Sequence, residues 1–203
     1  LYSGKKLRKA VASLKVAHEL DPGSYIAAFN LGLVSMQAGL VPNAVAALER
    51  ATELAPRSVE ALFNLAEAYR KKLEFDKAIA TYERVLSFQP RNAKARNNLG
   101  NIYLAQGKVQ KAIAEYIEAS KIDPKDPDYP YNRGVALYRT GQHDRAIAAF
   151  EQTKKLDPKN ARAYNNLGVI YGKQKDSKKM VEAFKTAIEL DPTLVNAAYN
   201  LGV

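Results

Sequence analysis

Residues 59–92 read VEALFNLAEAYRKKLEFDKAIATYERVLSFQPRN. Leu62, Leu65, Ala66 and Tyr69 recur at spacings of three and four, which places them on one face of a helix. Lys71-Lys72-Leu73-Glu74-Phe75 breaks that period and marks a turn. Ala78, Tyr82, Val85 and Leu86 form a second apolar face. Pro90 closes it, because a proline nitrogen carries no hydrogen with which to continue the helix. The stretch is helix, turn, helix, turn. A hairpin this small cannot bury its apolar faces alone and must stack on neighbours.

The sequence supplies those neighbours. Pro22, Pro56, Pro90, Pro124, Pro158 and Pro192 recur every 34 residues, and Asn30, Asn64, Asn98, Asn132, Asn166 and Asn200 keep the same step. Two coincident ladders define an array of repeats. The expected organisation is one array over residues 1–203. It has a half unit at 1–24, full units at 25–58, 59–92, 93–126, 127–160 and 161–194, and a half unit at 195–203. Neither end looks like a polar cap, so stacking of copies into a homo-oligomer through the open ends is one expectation.

Small and large positions alternate in a fixed order. The first full unit carries Ala28, Leu31, Gly32, Ala44, Leu48 and Pro56; the third carries Leu99, Gly100, Tyr103, Gly107, Ala112, Tyr116 and Pro124; the fifth carries Tyr164, Leu167, Gly168, Tyr171, Phe184 and Pro192. This 34-residue pattern resembles the tetratricopeptide repeat over essentially the whole chain. The resemblance implies an all-α fold, an α-α superhelix of antiparallel hairpins. It also implies a protein-interaction scaffold or adaptor whose first helices line a concave groove.

Carried onto this sequence, that groove holds the ladder Asn30, Asn64, Asn98, Asn132, Asn166 and Asn200, with Asn101, Lys94, Arg139, Arg162 and Lys173. A side-chain amide offers a donor and an acceptor, as a peptide backbone does, so the ladder could hold an extended chain. The same amides could instead bond neighbouring helices. Ile26, Phe29, Leu33 and Met36 make an apolar section beside Asn30. Basic groove residues (Arg70, Lys71, Lys94, Arg139, Arg162, Lys173) outnumber acidic ones (Glu60, Glu67, Asp128), which favours an acidic peptide or protein partner. Asn101, Asn132 and Arg162 match positions of the carboxylate clamp of chaperone-binding members. Asn97 and Asn166 stand where that clamp has cations, so a complete clamp is not expected. The ladder also resembles the repeat region of protein O-linked N-acetylglucosamine transferase. The alternative reading is therefore a substrate-recruiting segment of a larger enzyme such as a glycosyltransferase.

Composition narrows the remaining classes. Of 203 residues, 47% are apolar and 26% charged, enough for a folded core. There is no Cys, and no apolar run approaches the roughly 18 residues of a membrane span. The net charge of +10 raises nucleic acid as a partner, but the groove lacks a dense run of basic and aromatic residues, which argues against it. His18 and His143 lie far apart and read as surface residues, the second in a turn. No phosphate loop or metal-ligand cluster is visible, so no catalytic residue, metal or cofactor is expected. Asp21-Pro22, Asp123-Pro124, Asp157-Pro158 and Asp191-Pro192 read as turns. Local departures are Pro42, which should open a helix, and Pro127 and Pro130, which should delay one. Arg133 stands at a position otherwise held by Leu and should snorkel outward or pair with an acid.

Overall fold

The computed structural model describes residues 2–194 and Ala197, with side chains from Lys6 onward. Among the described residues there are eleven α-helices and no strand. They are α1 (Tyr2–Leu20), α2 (Tyr25–Gln37), α3 (Val41–Leu54), α4 (Val59–Lys71), α5 (Phe75–Phe88), α6 (Ala93–Ala105), α7 (Val109–Ile122), α8 (Asp128–Arg139), α9 (His143–Leu156), α10 (Ala161–Lys173) and α11 (Ser177–Leu190). The chain divides into two compact units, residues 1–95 and 96–203. In the first, α2 pairs with α3 and α4 with α5, while α1 packs on α2 and α3 on α4. In the second, α8 pairs with α9 and α10 with α11, while α7 packs on α8 and α9 on α10. First helices also touch within each unit, α2 with α4 and α8 with α10. This is the all-α array of antiparallel hairpins that the resemblance implies.

Helix starts follow a register that the proline and asparagine ladders do not show. Ser24 and Ser58 each accept the backbone N–H three residues on at 3.3 Å, and Asn92 and Asn160 do so at 2.9 and 3.1 Å. Each satisfies one of the donors that a helix start leaves without an intrahelical partner. Asp126 holds the same register but accepts from the Asp128 N–H, two residues on, at 2.9 Å, where α8 begins. Pro42 lies in the first turn of α3 as expected. The Asp-Pro pairs are turns: Asp21, Asp123, Asp157 and Asp191 each accept the N–H two residues on, at 3.0 to 3.2 Å. Arg50 donates twice to the Pro22 carbonyl at 3.1 Å, and Arg84 donates to that of Pro56 at 3.3 Å, so second helices grip the preceding turn.

The hairpins close on one recurring contact. A small residue of the first helix faces a large buried side chain sixteen positions later: Gly32 and Leu48, Gly100 and Tyr116, Gly134 and Phe150, Gly168 and Phe184. A Cβ at these glycines would lie 2.5 to 2.7 Å from the opposing side chain, closer than packing allows. The turn between paired helices needs a left-handed residue. Gly39, Gly107 and Gly141 fill it at φ 73 to 74°, but Leu73 at φ 65° and Lys175 at φ 60° hold the equivalent places.

Arg133 departs from its expectation. It is partly buried and donates to the neutral Gln152 side chain at 2.9 Å, with no acid as partner. Burial and the nearby Arg145 charge hold its pKa below the ordinary arginine value.

Two substitutions at helical glycines should separate the effects. Gly168→Ala should lower stability by about 1–2 kcal/mol, because overpacking against Phe184 outweighs the helix-propensity gain. Gly172→Ala meets only the flexible Met180 sulfur, at 3.1 Å, and should be neutral or stabilising by up to about 1 kcal/mol. Urea denaturation followed by circular dichroism reads both. Leu73 is 71% exposed, so Leu73→Gly gives up little packing and should stabilise by about 1 kcal/mol by relieving the left-handed strain.

Candidate functional site

In the N-terminal unit the first-helix face is α2 and α4. Asn30 is exposed, and Asn64 donates to the Glu60 carbonyl of its own helix at 2.8 Å. Glu60, Phe63, Asn64 and Lys94 line an open depression of about 320 Å³. The apolar section is smaller than expected. Ile26 is exposed, but Phe29 is buried and stacked on Tyr25 at 5.5 Å, and Leu33 and Met36 are partly buried. The Tyr25 and Ser58 hydroxyls share a hydrogen bond of 2.9 Å, joining the starts of the two helices.

One groove cation of this unit is paired. Arg70 pairs with Glu67 at 2.8 Å, so the groove count loses one cation and one acid together. Tyr82 also donates to Glu67. Burial alone would raise the Glu67 pKa, but hydrogen bonds from Arg70 and Tyr82 hold it below its ordinary value.

The C-terminal unit is arranged differently. Asn132 donates to Asn97 at 2.9 Å and Asn166 donates to the Tyr131 hydroxyl at 3.2 Å, each reaching back 35 residues to the preceding first helix. These amides bond neighbouring helices and keep their oxygens available. Asn101 accepts from the Tyr116 hydroxyl at 2.8 Å; burial pushes the Tyr116 phenol up, so it stays a donor. Asn98 is partly buried, and Asn200 lies outside the described residues.

The exposed cations here lean on rings and carbonyls. The Arg162 guanidinium lies over the Tyr131 ring at 5.0 Å, Lys173 lies over Tyr138 at 4.9 Å, and Arg139 donates to the Leu104 carbonyl at 3.3 Å. Among the described residues none of the three has a carboxylate within ion-pair distance. Elsewhere in this unit Lys121 pairs with Glu118 at 2.6 Å, Arg96 with Glu115 at 3.2 Å, and Lys154 and Lys179 with Glu151 and Asp176 at 3.0 Å. The sequence reading did not single out Tyr131 and Tyr138 as platforms. The available signal was a tyrosine 31 and 35 residues before Arg162 and Lys173. His143 opens α9 and is partly buried, with its ring 5.7 Å from that of Tyr138; His18, partly buried, lies near the end of α1. No described helix is long and apolar enough to cross a membrane.

Family models described as TPR repeat match residues 68–107, 100–141 and 136–175; models described as tetratricopeptide repeat match 1–59, 36–86 and 161–194. The chain belongs to the tetratricopeptide repeat family. Membership carries the coarse reading of a protein-interaction scaffold, in a family that is typically non-catalytic. No curated protein sequence matches significantly. Among solved structures the TPR chain is similar to YrrB, described as a TPR protein with an unusual peptide-binding site (22% identity, 94% of this chain and 98% of that one, TM-score 0.71). It is similar to MamA (25% identity, 81% and 96%, TM-score 0.74) and to pilF of Pseudomonas aeruginosa (17% identity, 96% and 89%, TM-score 0.77).

The Glu67 network gives a pH dependence with a defined sign. A depressed folded pKa adds stability above the ordinary value of 4.5, and that stability is lost as the pH falls through the folded pKa. Acid titration of urea midpoints should show that loss, and Glu67→Gln should flatten it.

Proposed function

We propose that this protein binds an extended, acidic segment of a partner protein along its first-helix face, with the C-terminal unit supplying the charged contacts. The observation that carries the reading is the set Arg139, Arg162 and Lys173: exposed cations without carboxylate partners among the described residues. A ligand carboxylate can pair with them without displacing an existing ion pair, and charge-assisted bonds are stronger than neutral ones. The amides complete the contact. The Asn132 and Asn166 oxygens accept peptide N–H groups, and the Asn101 nitrogen donates to a peptide carbonyl. Asn98 lies on the same helix as Asn101, while Asn30, Asn64 and Lys94 lie on first helices of the N-terminal unit. YrrB, with its peptide-binding site, supports a peptide as ligand.

Calorimetry with acidic, neutral and lysine-substituted versions of one extended peptide tests this. The acidic version should bind most tightly, lose affinity with added salt, and weaken about tenfold against the double variant Arg162→Ala/Lys173→Ala, about 1.4 kcal/mol. Equal affinity for all three peptides rejects the reading.

A further inference from the structure

The two cation–tyrosine pairs of the C-terminal unit are stations at fixed separation, and this sets a spacing for the ligand. Arg162 and Lys173 are eleven residues apart on α10, about three turns, so they share a face with Cα atoms about 16 Å apart along the axis. Their platforms, Tyr131 and Tyr138, are seven residues apart on α8, about two turns and about 10 Å. Each cation lies over its ring at 5.0 or 4.9 Å, and a charge separation midway between those two axial spans is about 13 Å. An extended chain advances about 3.3 Å per residue, and its side chains alternate between faces. Reaching both stations from one face therefore needs an even spacing of about four residues, which advances about 13 Å.

Resting on the peptide-binding reading above, we infer that the ligand carries two acidic side chains at positions i and i+4, one seated at Arg162 over Tyr131 and the other at Lys173 over Tyr138. Asn166 and Val169 lie between the stations on the same face of α10, one turn and two turns after Arg162. The Asn166 amide donates to Tyr131, which leaves its oxygen to accept a backbone N–H of the ligand between the two acids.

The test uses the full chain and two sets of labelled peptides of about twelve residues, read by fluorescence anisotropy. A continuously acidic peptide comes first; its failure to bind overturns the peptide-binding reading itself. Ser/Gly/Thr peptides carrying two Asp residues at i,i+2, i,i+4 or i,i+7 come second. The i,i+4 peptide should bind roughly fivefold more tightly than the other two, because only it engages both stations at once. Arg162→Ala should remove that preference and leave the three peptides equal. If the continuously acidic peptide binds but affinity in the Asp series does not depend on spacing, the two-station register is wrong while peptide binding stands. A preference for i,i+4 that survives in Arg162→Ala also overturns it.

Discussion

The contact of a small first-helix residue with a large buried side chain sixteen positions later governs the rest of the structure. Gly134 under Phe150 and Gly168 under Phe184 bring paired helices together without a void. The contact consumes one side of each first helix, and the face carrying Asn132, Arg162, Asn166 and Lys173 is left outside the hairpin core. Because the contact repeats with the period of the sequence, residues one position out of register meet on neighbouring first helices. The 35-residue bonds from Asn132 to Asn97 and from Asn166 to Tyr131 follow from that register.

Groove cations are held in two ways. In the N-terminal unit Arg70 is occupied by Glu67, which is itself held by Tyr82. In the C-terminal unit Arg162 and Lys173 face aromatic rings. A ring orients a cation, worth about 0.5–1 kcal/mol at an exposed site, but does not neutralise it. The result is positive charge fixed in direction and still able to take a carboxylate. The Asn132 and Asn166 amides have a double use of the same kind, with nitrogens spent on the stack and oxygens left over.

Much of this was legible in the sequence because it depends on periodicity. The helix and turn pattern, the proline and asparagine ladders and the small residues at the helix contact all follow from residue spacing within one unit. What was not legible depends on where side chains meet across helices. Nothing in the composition shows that Phe29 turns onto Tyr25, or that Arg133 ends on Gln152 rather than an acid. The pairing of Arg162 with Tyr131 spans 31 residues, and its geometry comes from the offset between α8 and α10. The Arg70–Glu67 pair was within reach, since residues three apart on a helix are neighbours, but counting charges by sign hid it. Leu73 and Lys175 were likewise readable by aligning them with Gly39, Gly107 and Gly141.

Peptide binding on the first-helix face can be read by a nuclear magnetic resonance titration of the isotope-labelled chain with an acidic peptide, following side-chain amide, guanidinium and ammonium signals. Asn101, Asn132, Asn166 and Arg162 should shift together and saturably, while Arg96, already paired with Glu115, stays in place. Shifts confined to Arg96 and the paired lysines Lys121 and Lys154, with the first-helix asparagines unmoved, would contradict it.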